Sequence, residues 1–332
     1  MSAQALYPLR FEPLFQYRLW GGRKLGAWMD EPLPPHDPIG EAWILSDRPD
    51  HASPIANGPL KGRTLTDLMR EHKDALLGPR AQQIDRFPLL LKFLDVKQML
   101  SVQVHPRDDQ TALIPAGDTG KTEAWVVLEA EPKSRIYAGL RPGVTPQDLR
   151  GLTLKTADDR LASFKPEVGQ GVQIEAGTVH SLGDGVMVFE VQENSDVTFR
   201  LYDWDHVDAR TGKPRDLQVD QALACVDFGQ GAVTPVTPKT EATDPVRREA
   251  IFDNAHFRLE RLTGAAPFSV GASGAPRILV CVDGAGVVEA EGAQAVNFRR
   301  GGVILLPAAL GPCRLRPDRP TTVLQIAIPD LP

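Results

Sequence analysis

The sequence predicts a mainly β protein with a few short helices, and three observations support this class. Glycine and proline number 29 each and are spread along all 332 residues. Between them lie short apolar runs of the length of single strands. Helical periodicity, by contrast, is confined to a few short segments. The clearest apolar runs are residues 97–105, 123–130, 186–191, 278–282 and 303–306.

Three segments carry the start signals of helices. Thr64 is placed to cap a helix that continues through Leu77, where a Gly-Pro pair would end it. Residues 145–148 read Thr-Pro-Gln-Asp, a capping box with proline at the first helical position. Asp216 is placed to cap a third helix over 217–226. We expect all three helices to be scaffold.

Two similar segments indicate that the chain contains two related β units. GVQIEAGTVHSLG at 171–183 and GGVILLPAALGP at 301–312 share a glycine, an apolar strand, small residues and a turn. Residues 229–247 are rich in Thr, Pro, Gly and charge, which is typical of a linker. The sequence therefore predicts a first domain over 1–228, this linker, and a second domain over 248–332.

Composition narrows the classes of partner and compartment. The net charge of −6 argues against nucleic acid or an anionic membrane as a partner. No apolar run approaches the roughly 20 residues that cross a bilayer, and residues 1–15 lack the apolar core of a signal peptide. Cys225, Cys281 and Cys313 are odd in number and far apart, which fits free thiols in a reducing compartment. We therefore expect a cytoplasmic protein.

The segment 100–106 alternates strictly between apolar and polar residues. In a strand, Ser101, Gln103 and His105 share one face, and Val102 lies opposite. If that polar face lines a barrel interior, its groups need partners, and a metal ion is one such partner. The alternative is a strand whose polar side faces solvent.

Two further segments offer metal ligands. Lys121 and Glu123 share a face at the head of an apolar strand, where Glu123 could supply an oxygen. An exposed Lys–Glu pair is the alternative. His180 lies in a tight turn between two strands, among small residues, and could point into a barrel mouth. In the strands that follow, Glu190 and Arg200 could face the same interior, or could form an ion pair across a hairpin.

Two histidines, a carboxylate and an amide suit Zn²⁺, although Mn²⁺, Fe²⁺, Co²⁺ or Ni²⁺ would also accept them. No cysteine lies near these segments, which favours an open coordination position over a closed structural zinc site. Glutamine is an uncommon ligand, so Gln103 is the weakest member on chemistry alone. The other histidines are expected to be ordinary surface or core residues: His36, His51, His72, His206 and His256.

Five long motifs occur in order along residues 6–228. They are YRLWGG, IGEAWILSDRPDHASPIANGPLKGRTLTDLM, LKFLDVKQMLSVQVHP, GKTEAW and GTVHSLGDGVMVFEVQENSDVTFRLYDWD. Together they resemble the class I mannose-6-phosphate isomerases in their short bacterial form, and the resemblance continues loosely to the C-terminus. It implies two cupin-like jelly-roll β-barrels. It also implies a zinc-dependent enzyme that interconverts mannose 6-phosphate and fructose 6-phosphate.

The resemblance also implies roles for individual residues. One zinc ion per chain would be held by Gln103, His105, Glu123 and His180. The phosphate and sugar would be contacted by Ser101, Lys92, Lys121 and Arg200. The family's active-site glutamate falls on Glu190. The helical domain inserted in long eukaryotic forms is absent. The second domain shows no His/Glu set, so we expect no metal there.

Aldose–ketose isomerisation moves a proton between C2 and C1 through a cis-enediol, and Glu190 is the predicted carrier. Lys121 and Arg200 could exchange the roles of phosphate clamp and enediolate stabiliser. The predicted partner is a small sugar phosphate, and the sequence does not fix the oligomeric state. The rival functions are a cupin isomerase or epimerase of another sugar or sugar phosphate, and a non-catalytic sugar-binding cupin.

Overall fold

The computed structural model describes residues 5–329 and confirms a mainly β protein with short helices. The strands are β1 Leu9–Arg10, β2 Leu14–Gly22, β3 Ile39–Leu45, β4 Asp47–Arg48, β5 His51–Ala52, β6 Leu89–Val96, β7 Val102–Val104, β8 Glu123–Glu129, β9 Arg135–Leu140, β10 Leu161–Phe164, β11 Gly171–Ile174, β12 His180–Gly183, β13 Val186–Glu193, β14 Phe199–Tyr202, β15 Lys239–Ala242, β16 Arg247–Asp253, β17 Arg258–Gly264, β18 Phe268–Val270, β19 Arg277–Asp283, β20 Ala285–Glu289, β21 Val296–Arg299, β22 Val303–Leu306, β23 Cys313–Pro317 and β24 Thr321–Ala327. The α-helices are α1 Lys24–Met29, α2 Leu65–Glu71, α3 Lys73–Leu77, α4 Pro146–Arg150, α5 Ala157–Arg160 and α6 Val219–Cys225, with 3₁₀ turns at Gly78–Gln82 and Ala308–Leu310.

The strands form four main sheets. The N-terminal part contributes a six-stranded sheet, in the order β11-β8-β13-β6-β2-β3, and a five-stranded sheet, in the order β10-β9-β12-β7-β14. The C-terminal part contributes a four-stranded sheet, β18-β23-β20-β21, and most of a seven-stranded sheet, β1-β22-β19-β24-β17-β16-β15. The N-terminal strand β1 completes the seven-stranded sheet by pairing with β22, which places Leu9 opposite Leu305.

The sheets pack in layers because their central strands alternate between two apolar cores. In β6, Phe93 faces a core shared with the seven-stranded sheet, and Leu94 faces the five-stranded sheet. In β19, Val280 faces the shared core and Leu279 faces the four-stranded sheet. The six- and seven-stranded sheets are therefore the inner layers, each buried on both faces.

The predicted linker, 229–247, contains β15 and the first residue of β16, and β15 pairs with β16 at the edge of the seven-stranded sheet. Since the shared core draws residues from both predicted domains, the division at this segment stays a prediction. All three cysteines are free, as predicted, and the structure places them in buried positions. Among residues 5–329, no helix has the length and apolar character needed to span a bilayer.

The capping box predicted at 145–148 is confirmed. The Thr145 hydroxyl accepts the Asp148 N–H, and the Asp148 carboxylate accepts the Thr145 N–H at 3.0 Å. Thr64 forms a second capping box, with Asp67. The single helix predicted from Thr64 through Leu77 is wrong in its length, because His72 leaves helical geometry at φ −133° and separates α2 from α3.

The cap predicted at Asp216 is wrong. Helix α6 begins at Val219, and Gln218 occupies the N-cap position without a side-chain capping bond. Gln218 is instead tied to β14: its N–H donates to the Arg200 carbonyl at 2.9 Å, and its side-chain oxygen accepts the Arg200 N–H at 3.2 Å. This tertiary pairing overrides the local capping signal.

Candidate active site

A polar pocket of about 480 Å³ opens at the six- and five-stranded sheets, large enough for a small organic substrate. Its walls carry five cationic and four carboxylate side chains, so the local charge opposes the net charge of −6. The cations are Arg18, Lys92, Lys121, Arg200 and Arg215, and the carboxylates are Glu41, Glu190, Asp196 and Asp208.

Three predicted ligands meet beside this pocket. His105 follows the end of β7, while Glu123 and His180 are the first residues of β8 and β12. His105 Nε2 lies 3.4 Å from Glu123 Oε2, and His180 Nε2 lies 3.3 Å from Glu123 Oε1. All three side chains are buried, and their ligand atoms lie within 4.8 Å of one another.

Backbone carbonyls fix the orientation of both histidines. His105 Nδ1 is 2.8 Å from the Val197 carbonyl, and His180 Nδ1 is 2.9 Å from the Thr178 carbonyl. Because a carbonyl only accepts, each ring carries its proton on Nδ1 and turns the Nε2 lone pair toward Glu123. This is the arrangement in which a histidine binds a metal.

Electrostatics favours the protonation states that metal binding requires. Burial, reinforced by the Lys121 cation, lowers the pKa of His105 to about 3, and burial also lowers the pKa of His180. Burial opposes ionisation of Glu123, yet the Lys121 charge and the two histidines hold the pKa of that carboxyl well below its usual range. The group therefore presents two neutral imidazoles and a carboxylate.

The donor set fits a divalent metal. Among the described residues, neither carboxylate oxygen of Glu123 has a hydrogen bond of acceptable geometry, and its contact with Lys121 Nζ at 2.8 Å is an ion pair. Gln103 lies beside this group with its amide nitrogen, which cannot bind a metal, 3.2 Å from His180 Nε2, so its oxygen would have to turn toward the group to act as a ligand. Ser101 donates to the Gln103 side-chain oxygen at 3.1 Å, so this hydroxyl holds a predicted ligand.

Glu190 and Lys92 lie directly opposite each other on β13 and β6. Lys92 Nζ is 3.2 Å from Glu190 Oε2, and the Trp125 indole donates to Glu190 Oε1 at 3.0 Å. Burial raises the pKa of Glu190 despite the nearby lysine. This is the direction of shift that a proton-carrying carboxyl group requires.

Arg200 lies opposite Gln103 in the pairing of β14 with β7 and lines the pocket. Its buried Nε has no hydrogen-bond partner among the described residues, and burial lowers the pKa of the guanidinium. An unpaired, partly desolvated donor of this kind is suited to an anionic group on a ligand.

Sequence reasoning missed a second charged cluster in the pocket. Arg18 donates twice to Glu41, at 2.9 and 3.0 Å, and the Trp43 indole donates to the same carboxylate at 2.7 Å. Although burial opposes ionisation, the Arg18 and Lys92 charges lower the pKa of Glu41 to about 2. The sequence did contain one indication of this cluster. Glu41 lies inside the apolar strand IGEAWIL, and a buried acid requires a partner such as a buried cation.

A buried His/Glu/His group beside a polar pocket, in stacked β-sheets, defines an enzyme-like site with a potential metal centre. The family model "Phosphomannose isomerase type I, catalytic domain" matches residues 9–131. The chain belongs to the mannose-6-phosphate isomerase family of enzymes, because the curated relatives match it over nearly its whole length.

The chain is similar to mannose-6-phosphate isomerase ManA of Bacillus subtilis, with 33% identity over 93% of this chain and 95% of the relative. It is 31% identical to the mannose-6-phosphate isomerase of Streptococcus mutans, over 90% and 92% of the two chains. The crystal structure of the Bacillus subtilis mannose 6-phosphate isomerase superposes with a TM-score of 0.85 at 27% identity, covering 97% of this chain and 100% of the other. The cupin-like class predicted from the sequence is thereby confirmed.

Proposed function

We propose that this chain interconverts mannose 6-phosphate and fructose 6-phosphate through a cis-enediol and depends on one zinc ion. The observation that carries the proposal is the buried group of His105, Glu123 and His180, held in metal-binding protonation states beside a pocket that also presents Glu190 and Arg200. The family to which the chain belongs supports the same reaction.

The proposed ligands are Gln103, His105, Glu123 and His180. Zinc fits an all-N/O set without thiolates, and Mn²⁺, Fe²⁺, Co²⁺ and Ni²⁺ are the competitors that metal analysis must exclude. When bound, the ion would act as a Lewis acid that stabilises negative charge on substrate oxygens. We place this single metal site in the N-terminal pair of sheets.

Glu190 is the proposed proton carrier. Removing the proton from C2 of the aldose leaves an enediolate with negative charge on O1. Transfer of the hydroxyl proton from O2 to O1, through the cis-enediol, and return of the first proton to C1 then give the ketose. The carrier must accept and return that proton, which a carboxyl group with a raised pKa can do. Its Oε1 accepts the Trp125 indole N–H, and its Oε2 lies near Lys92 Nζ. These two contacts keep the carboxyl group oriented along the pocket wall.

Arg200 is the stronger candidate for stabilising enediolate charge, because its Nε has no partner among the described residues while Lys121 already pairs with Glu123. Lys92, Lys121 and Ser101 remain proposed substrate contacts. Both lysines pair with carboxylates, so only their remaining N–H donors could bind the phosphate. Arg18 and Arg215 add guanidinium groups to the same pocket.

A coupled assay for fructose 6-phosphate tests the proposal. Mannose 6-phosphate should turn over, a chelator should abolish the turnover, and added Zn²⁺ should restore it. Unphosphorylated mannose should be a much poorer substrate. Full activity in metal-free protein would refute the metal dependence. Equal use of both sugars would refute the phosphate assignment and favour a free-sugar isomerase.

A further inference from the structure

His256 brings the C-terminal part of the chain against β13, the strand that pairs with the strand carrying Glu123. It lies in the turn between β16 and β17, where the Asn254 side-chain oxygen accepts the N–H groups of His256 and Phe257 at 2.9 Å each. Phe257 is fully buried in the shared core. From this anchored turn, His256 Nδ1 reaches Glu193 Oε2 at 3.2 Å.

Glu193, the last residue of β13, holds Thr122 in two ways. Its N–H donates to the Thr122 carbonyl at 3.1 Å, and its Oε1 accepts the Thr122 N–H at 2.7 Å. The carboxylate therefore replaces the strand carbonyl that would otherwise accept this N–H at the start of β8. Both residues are buried, which limits competition from water for the bond.

Thr122 lies between two residues of the proposed site, Lys121 and Glu123. We infer that Glu193 and His256 are positioning residues, which hold the segment 121–123 so that Glu123 faces the two histidine ligands. The C-terminal sheets would then help to build the metal centre. The inference rests on the proposed metal site, but its test does not depend on isomerase turnover.

The charge of His256 follows from its surroundings. The hydrogen bond with Glu193 raises the pKa of His256, and the Asp108 and Glu175 carboxylates act in the same direction against partial burial. A raised pKa means that the paired, protonated form stabilises the fold at low pH, and that this contribution is lost as pH rises through the raised value. His256, Glu193, Asp108 and Glu175 line one cleft, and the other charged groups that line it are Arg107, Asp109 and Asp227.

Asp108, Glu193 and His256 could also hold an ion, since their ligand atoms lie within 4.8 Å of one another. Two of their oxygens are already engaged, because Asp108 accepts the Gly120 N–H at 2.8 Å and Glu193 accepts the Thr122 N–H. We therefore interpret the cluster as a hydrogen-bonded support of the site, and counting the bound metal separates the two interpretations.

The test compares zinc affinity, measured by competition with a chromogenic chelator, in two pairs of variants. Glu193→Ala should weaken zinc binding and kcat by about 10- to 100-fold, as does loss of other outer partners of metal ligands. His256→Ala should give about a 10-fold loss. Glu193→Gln and His256→Gln keep a hydrogen-bonding group and should restore most of each loss. Arg258→Ala is the matched control, because it removes an exposed ion pair with Asp253 around the same turn.

The pH profile separates positioning from a general loss of stability. The zinc affinity of the wild type, divided by that of His256→Ala, should fall as pH rises through the raised pKa of His256, and titration of the ligands cancels in this ratio. Unchanged affinity in both alanine variants would overturn the inference. So would two zinc ions in the wild type with one lost in His256→Ala. A wild type without turnover whose zinc affinity still shifts in the variants would refute the proposed function and support the positioning.

Discussion

The two outer pairs of sheets in this protein have similar architecture and different interiors. Between the seven- and four-stranded sheets, the hydrophobic cluster is made of Val, Leu, Ile, Phe and Cys side chains. The buried polar side chains on the same face of β24, Thr321 and Gln325, are uncharged and hydrogen-bonded. Between the six- and five-stranded sheets, a similar apolar cluster is accompanied by buried charged side chains. They include Glu41, Lys92, Lys121, Glu123 and Glu190. The proposed metal-binding and reactive groups lie where the sheet pair is not filled with apolar side chains.

The polar interior is stable because nearly every charge in it has a partner. Burying a lone carboxylate or ammonium group would cost several kcal/mol, and pairing offsets that cost without making the pair a large net stabiliser. Lys92 contacts Glu190, Lys121 contacts Glu123, and Arg18 contacts Glu41. Glu123 has this ion pair but no hydrogen bond of acceptable geometry, and the Arg200 Nε has no hydrogen-bond partner among the described residues, so both groups have capacity left for a ligand.

The largest expected effect comes from removing a proposed metal ligand. His105→Ala deletes a buried imidazole from the His/Glu/His group, and we expect it to lose both bound zinc and isomerase activity. Elemental analysis of the purified variant and the coupled assay measure the two losses. His51→Ala, which removes an exposed histidine from a short surface strand, is the control and should keep both. Normal activity in His105→Ala would contradict the proposal that the polar interior holds a metal needed for the reaction.

Glu190→Gln tests the proposed proton carrier with a side chain of nearly the same shape. The amide cannot accept the C2 proton, so kcat should fall by about 10²-fold or more, as expected for the loss of a general base. Zinc content should stay normal, because Glu190 is not a proposed ligand. Near-normal kcat would assign proton transfer to another group, such as Lys121.

The sequence predicted this interior unevenly. Strict alternation in 100–106 placed Gln103 and His105 on one face, and the structure brings His105 together with Glu123 and His180. Each of these residues is a polar group at the end of a strand, which can be recognised from the neighbouring residues alone. The fold class was predictable for the same reason, because period-2 patterns and turn residues are local features.

Features that depend on distant contacts were not predictable from the sequence. Arg18 and Glu41 pair through the register of β2 with β3, and either alone resembles an ordinary surface charge. His256 was expected to be ordinary, yet it contacts Glu193, which lies far from it in the sequence and shares no motif with it. The cap at Asp216 failed because Gln218 is held by β14. Such contacts exist only after the sheets have assembled.

Arg18→Ala should affect substrate selection more than chemistry. If its guanidinium contacts the phosphate, kcat/KM for mannose 6-phosphate should fall roughly 10- to 150-fold, the equivalent of one charged hydrogen bond of about 1.5–3 kcal/mol. Turnover of unphosphorylated mannose should change much less. Arg63→Ala removes a comparable arginine–glutamate pair, with Glu71, outside the pocket and serves as the control. Equal losses on both sugars would indicate that Arg18 only supports Glu41.

The smallest effect on activity is expected in the apolar interior. Leu315 on β23 is fully buried in the core between the seven- and four-stranded sheets. Leu315→Ala should lower the free energy of unfolding by about 2–5 kcal/mol, because the cavity left behind adds to the lost burial. Leu154→Ala, at a side chain that is 66% exposed, should change it by no more than about 0.5 kcal/mol. Urea unfolding followed by tryptophan fluorescence measures both.

Well below its unfolding transition, Leu315→Ala should keep the wild-type kcat and zinc content. The seven- and six-stranded sheets lie between the four-stranded sheet and the proposed site, and these close-packed layers should confine a local cavity. The positioning role of His256 needs its own turn to stay in place, and that turn is anchored by Phe257 in a different core. A folded Leu315→Ala protein with reduced kcat would show that strain crosses both inner layers, and that the apolar interior supports the reaction as well as the fold.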